Sequence, residues 1–299
     1  MTKKKQSMIK SKYDVCFDVV MIFISLLLLV VFIYPFLNIL AISFNEATDT
    51  MYGLNGIFPR QFTLTNYAEI LADKQIFIAT LNSVIRTVVG TVFSLIGCIL
   101  SAYLIYHKAF IWHKFFAGLM MLVMCLSAGM IQTFILYKEL NLIGTFAVYI
   151  IPNFIFPFNV MLIVSFMRGL PDSIVESANI DGANDFVILF VILVPLCLPV
   201  IASVALFCAV GQWSSWFDVM MYNGNLSVLS TLQYELQRKL ASASINNGGQ
   251  GGNGGDIDLV TPEAIRATMT IIATAPILVV YPFLQKYFVK GMTLGGVKE

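Results

Sequence analysis

Chemistry in this chain would have to come from few side chains. His107 and His113 are the two histidines, both beside lysines in one short stretch, where a metal or acid–base role competes with plain solvated positions. The five cysteines, Cys16, Cys98, Cys125, Cys197 and Cys208, stand singly in or beside apolar runs with no C-x-x-C spacing. They read as small buried hydrophobes and not as a zinc or redox site. Gly291 to Gly296 is the nearest echo of a phosphate-binding glycine loop, but Val297 follows where such a loop needs lysine. No H-E-x-x-H or G-x-S-x-G string occurs, and no carboxylate pair falls within an apolar stretch. We therefore expect no catalytic residue, no metal and no cofactor held by this chain.

The elements around these residues are set by composition. The chain has 299 residues, 58% hydrophobic and 12% charged, where a soluble domain carries about 25% charged residues. A disordered chain, a disulfide scaffold or a nucleic-acid-binding module would need low hydrophobicity, dense cysteine or a strong basic excess, and the net charge is only +1. A transmembrane helix needs about 20 apolar residues. Suitable stretches run from Val19 to Leu40, Thr87 to Tyr106 (beginning as early as Ile78), Phe115 to Tyr137, Thr145 to Met167, Phe186 to Phe217 and Ala267 to Gln285. The expected fold class is all-α, a polytopic membrane protein with six transmembrane helices. The first span is longer than the apolar region of a cleavable signal, about 7–15 residues, and no small-residue cleavage site follows it.

Positive charge sets orientation. With the N-terminus inside, the inner segments hold Lys3, Lys4, Lys5, Lys10, Lys12, Lys108, Lys114, Arg168, Lys286, Lys290 and Lys298, against Arg60, Lys74, Lys138, Arg238, Lys239 and Arg266 outside. Both termini are expected in the cytoplasm, with the N-terminal lysines anchoring on anionic lipid. This gives a cytoplasmic segment 1–18, a six-helix domain 19–285 and a cytoplasmic tail 286–299. Extracellular loops cover 43–75 and 218–266, and the second carries a Gly/Asn-rich run from Asn246 to Gly255. A proton- or sodium-coupled carrier would place ionisable groups at mid-membrane. Here Arg86 alone approaches, near the outer start of the second span, where it could snorkel, face an interface or line a path.

One cytoplasmic loop, 168–185, departs from the rest. Pro171 and Asp172 suit a helix start and Gly182 a helix stop, with Ile174, Ala178 and Asp181 on one face. A helix of about ten residues is too short to be stable alone in water, so it must dock. Its small residues suit a groove on a partner protein better than a bilayer surface.

Glu176, Ser177 and Ala178, then Gly182, then Ile192, Val194 and Pro195 resemble the E-A-A, three residues, G, nine residues, I-x-L-P pattern of permease subunits in binding-protein-dependent ATP-binding-cassette importers. Ser177 and Val194 are conservative departures. Ile180-Asp181-Gly182-Ala183 with Pro199 downstream looks like the carbohydrate branch, similar to the second maltose-type permease and the firmicute multiple-sugar and oligosaccharide permeases. Phe62 to Tyr67, Asn82-Ser83 and the tail from Tyr287 to Lys298 extend the resemblance over nearly the whole chain. The stretch from Ala241 to Asp258 is longer than the family pattern.

The resemblance implies a non-catalytic subunit in the cytoplasmic membrane that moves a sugar by alternating access. Its implied partners are a homologous second permease, two ATPase subunits carrying ATP and Mg, an extracellular substrate-binding protein and membrane lipid. By matching positions, Glu176, Ala178, Asp181 and Gly182 would couple to the ATPase, and Gly295, Gly296 and Val297 would contact it from the tail. Gln250, Gly251, Gly252 and Asn253 would enter the binding protein, or form a free flexible loop. A sugar path needs amides and aromatic rings without fixed charge, which points to Gln132, Asn153, Asn159, Trp213 and Trp216. Interhelical hydrogen bonding by the amides and an interface belt for the tryptophans are the alternatives. The rival functions are a permease of the same class for a non-sugar solute and an independent secondary carrier.

Overall fold

The computed structural model describes residues 12–51, 53, 56–126, 128–246 and 261–294, in two compact units. All regular structure among the described residues is helical, apart from an isolated antiparallel bridge between Asn45 and Phe62.

The first unit draws on described residues of 1–70 and 249–271. Helix α1 (Lys12–Ser43) is apolar on all sides, and every residue from Val19 to Leu37 is exposed. A helix apolar all round and uncovered by its own chain belongs in lipid. Short helices α2 (Ala47–Met51) and α3 (Thr65–Ala72) follow. Buried Asn45 folds the intervening turn: its Oδ1 accepts from the N–H groups of Arg60 and Gln61, both at 2.9 Å, and its Nδ2 donates to Asp49 Oδ2 at 2.8 Å. Asn66 Nδ2 donates to the carbonyls of Ser43 and Asn45, tying α3 to the end of α1.

The second unit draws on described residues of 71–248 and 272–299. Its spine is α4 (Lys74–Tyr106), opened by Asp73, whose side chain accepts from Gln75 N–H at 2.9 Å. Helices α5 (His113–Cys125), α6 (Met130–Glu139) and α7 (Pro157–Met167) follow, with 3₁₀ turns at Phe146–Tyr149 and Ile151–Asn153 before α7. The short α8 (Asp172–Ile180) leads into α9 (Asp185–Val187), a π turn (Ile188–Leu193), α10 (Val194–Leu196) and α11 (Leu198–Ser214). Then come α12 (Phe217–Asn223), a 3₁₀ turn at Ser227–Leu229, α13 (Leu232–Asn246) and α14 (Pro262–Leu294), whose first residues belong to the first unit. The core packs α4 against α7 and α11 through Cys98, Ala102, Val160, Ile163, Met167 and Val204, all fully buried.

Two expected spans are not single rods. The stretch from Phe115 to Tyr137 divides between α5 and α6, parted near Gly129, whose φ of 80° no helix allows. The stretch from Phe186 to Phe217 bends by 82° between Leu196 and Leu198. Pro195 and Pro199 remove two backbone donors there, Cys197 leaves helical geometry with ψ of 4°, and the π turn precedes the bend. Among the described residues, Tyr13–Ser43, Lys74–Tyr106, Phe146–Met167 and Glu263–Pro282 are each long and apolar enough to cross a membrane, and the bent pair makes a fifth candidate.

The region 218–266, expected as a loop, holds α12 and α13. Asn82 Nδ2 donates to the carbonyls of Val228 and Ser230 at 2.7 and 2.9 Å, and Ser83 Oγ accepts from Leu232 N–H at 2.9 Å. Gln75 Nε2 donates to Ser227 O at 2.7 Å, and Lys239 Nζ meets Asp73 Oδ2 at 2.9 Å. These bonds dock α13 on the N-terminal end of α4, and they give the Asn82-Ser83 pair its structural work.

Candidate functional site

Helix α8 is nine residues long and begins after Pro171, whose fixed φ suits the entry. Its end is a Schellman motif: Gly182 N–H donates to Asn179 O at 3.1 Å, Ala183 N–H donates to Ala178 O at 3.0 Å, and Gly182 sits at φ of 78°. Glycine is required there by the left-handed backbone and not by crowding, since the space beside its Cα is open. Ala178 is buried, with Val175 and Ala183 half-buried against the main core. Asp181 lies exposed just past the helix instead of on the buried face. Glu176 and Ser177 face outward, and Ile180 is 86% exposed.

Both ends of this loop are strapped to α4. Lys108 Nζ approaches Asp172 Oδ2 at 3.3 Å, and Tyr103 O–H donates to Asp185 Oδ1 at 2.8 Å. Asn184 caps the next helix by accepting from Val187 N–H at 2.9 Å. The first contact is exposed and contributes little; the second is half-buried and fixes where α9 begins. These contacts join α8 to the end of α4 and to the start of the bent α9–α11 stretch.

The other candidate is a cavity of about 360 Å³ among α4, α7 and α11. Asn153 and Asn159 line it, as do Phe156, Phe158 and Phe207. Asn159 Nδ2 donates to Cys208 Sγ at 3.3 Å, and Asn153 Nδ2 donates to Tyr149 O at 3.0 Å. Of the five expected path residues the cavity gathers these two. Gln132 is exposed on α6, and Trp216 stacks edge-on against Phe217. Trp213 is buried, with its indole N–H committed to Ala273 O at 2.8 Å, which ties α11 to α14. Gln250, Gly251, Gly252 and Asn253, and Gly295, Gly296 and Val297, lie outside the described residues.

Arg86 corrects one expectation. It does not snorkel: its side chain is 1% exposed and it lines the cavity wall. Nε donates to Gln212 Oε1 at 2.8 Å, both terminal nitrogens meet the carboxylate of Asp218, and the guanidinium lies 4.6 Å from the Tyr149 ring centre. Burial of a lone cation in lipid demands such a partner. Asp218 escaped notice because it stands 132 residues away in what reads as a loop. Its signal was its position, an acid immediately after an apolar run that ends in Trp-Ser-Ser-Trp-Phe.

No protein-family model matches the chain. The polygalacturonan/rhamnogalacturonan transport system permease protein YtcP of Bacillus subtilis (strain 168) is 32% identical over 285 residues, 94% of this chain and 98% of that protein. Protein LplC of the same organism is 34% identical over 268 residues, 89% of each chain. Among solved structures, a chain from a bacterial ABC transporter involved in the import of the acidic polysaccharide alginate matches with a TM-score of 0.83 at 24% identity, covering 94% of this chain and 100% of its own. At that identity the structural match speaks for the fold.

Proposed function

The chain belongs to the permease subunits of sugar-importing ATP-binding-cassette transporters, and on that premise we propose that it moves a complex or acidic oligosaccharide inward by alternating access. As a member of that family it is a multi-pass protein of the cytoplasmic membrane. In our reading it crosses six times, with α5 and α6 together forming the third crossing and both termini in the cytoplasm. It pairs with a homologous second permease, two ATPase subunits that bind ATP and Mg, and an extracellular binding protein that delivers the sugar. The chain makes and breaks no bond. The name of YtcP supports an acidic polysaccharide-derived substrate over a non-sugar solute.

The observation that carries this reading is α8. It is too short to persist alone, it is anchored by Ala178 and closed by Gly182, and it turns Glu176 and Ile180 to solvent. An anchored helix with an apolar knob outward is built to seat in a partner's cleft. Closure of the ATPase pair would move α8 as a lever and switch the path between two arrangements.

The test is Gly182→Leu in the reconstituted complex. A branched side chain at positive φ costs roughly 1–2 kcal/mol and fills space that the chain itself leaves open. The variant should insert normally, yet hydrolyse ATP without driving uptake or lose its ATPase. Wild-type coupling ratios in that variant would rule the assignment out.

A further inference from the structure

We propose that the cavity among α4, α7 and α11 is a binding subsite in this subunit for one pyranose ring of the transported saccharide, read by its faces and hydroxyls and not by charge. The proposal rests on the importer reading and adds to it a site and a selectivity.

Size comes first. At about 360 Å³ the cavity lies at the lower end of the roughly 300–1,000 Å³ typical of small-molecule sites, room for a ring and not for a chain. Its lining joins the two surfaces a pyranose presents. Phe156, Phe158 and Phe207 are about half exposed and offer apolar faces for C–H groups. Asn153 and Asn159 offer amides and Ser94 a hydroxyl for the ring's hydroxyls.

Two of the polar groups, Asn159 and Ser94, meet a sulfur in the protein. Asn159, 4% exposed, donates to a thiol sulfur at 3.3 Å, and the same sulfur reaches Ser94 Oγ at 3.5 Å. Sulfur is a weak acceptor and a weak donor. A guest bearing hydroxyls would exchange these sulfur contacts for full-strength bonds, whereas an apolar guest would leave two buried polar side chains worse off.

Charge then sets what the site ignores. Arg86 is in the wall, but Asp218 occupies both of its terminal nitrogens and Gln212 its Nε. The pair is neutral as a unit, so the wall offers a sugar carboxylate no free cation. A uronate ring and its neutral counterpart should bind alike.

Cys208 supplies the readout, since it lines the cavity. The complete importer is purified in nanodiscs without ATP and treated with N-ethylmaleimide. Labelling is followed by peptide mass spectrometry at Cys208, with Cys16, in the segment expected in the cytoplasm, and the buried Cys98 and Cys197 as internal controls. Maltotriose and trigalacturonate at equal concentration should each slow Cys208 labelling by about fivefold and leave the controls unchanged, while sorbitol does nothing. Phe158→Ala should raise the half-protecting concentration of both by about fivefold, the worth of one aromatic contact. Protection by neither saccharide, or by trigalacturonate alone, would overturn the proposal. ATP-driven uptake is scored in parallel: its absence with protection intact counts against the importer reading and leaves the subsite standing, whereas uptake without protection removes the subsite and leaves the importer.

Discussion

Arg86 shows how much of this protein turns on single residues. A guanidinium 1% exposed is tolerable because Asp218, Gln212 and the carbonyl of Ser215 all accept from it. Removing one partner of a buried pair costs more than the pair gains, because the other charge is stranded. Asp218→Ala should therefore lower the free energy of unfolding by about 3 kcal/mol, measured by denaturation in mild detergent. The double variant Arg86→Met, Asp218→Ala should regain a large part of that loss. A double variant no better than the single would mean that Asp218 acts through Ser215 Oγ and Val219 N–H, which also donate to it, and not through the cation. At this scale the sequence was half legible. A basic residue inside an apolar run announces a buried partner, but nothing local names it. Gly182 was fully legible, because a helix start, a helix stop and the glycine between helices are all encoded within one short segment.

At the scale of elements, close approach and docking set the geometry. Gly97 faces the 3₁₀ turn ahead of α7 so tightly that a Cβ there would collide with the carbonyl oxygen of Phe154, a backbone atom that cannot swing aside. Gly90 has only the Gln212 side chain against it, at 2.9 Å. Gly97→Ala should cost about 2 kcal/mol in thermal stability and Gly90→Ala less; equal costs would contradict the packing described. At the N-terminal end of α4, α13 is held partly through Lys239 and Asp73. Burial opposes the Asp73 charge, but the Lys239 ammonium and the N–H groups of Gln75 and Ile76 outweigh it and hold the carboxyl below its ordinary 3.8. A lowered carboxyl contributes stability that is complete above the unfolded value and is lost as pH falls through the folded one. A spin label at exposed Ser242 should keep constant mobility down to about pH 5 and loosen below about pH 4. Lys239→Met should make the mobility independent of pH over that range, and a pH response that survives the substitution would assign the tether to another group. Neither contact was legible beforehand, since both join segments distant in sequence. The breaks at Gly129 and Cys197 were missed for a different reason: hydropathy registers how apolar a stretch is and is blind to the left-handed backbone of the one and to the donors that Pro195 and Pro199 remove around the other.

For the whole molecule, apolar stretches, charge asymmetry and one cytoplasmic motif carried the class, because membrane insertion is itself read from those features. α8 and the turn after it pack Ala178, Val175 and Ala183 against the core that α4, α7 and α11 share, the cavity lies among the same three helices, and the bent stretch follows α9; in our proposal α8 is the element that docks on a partner. Under that proposal the chain depends on a partner that pushes on α8. The most direct measurement is therefore extraction of the tagged chain from its native membrane in mild detergent, followed by mass spectrometry of what accompanies it. The account predicts a second, homologous permease and an ATPase in stable association. A chain that comes out alone, and that transports solute in liposomes without ATP, would contradict it and make an independent carrier the better description.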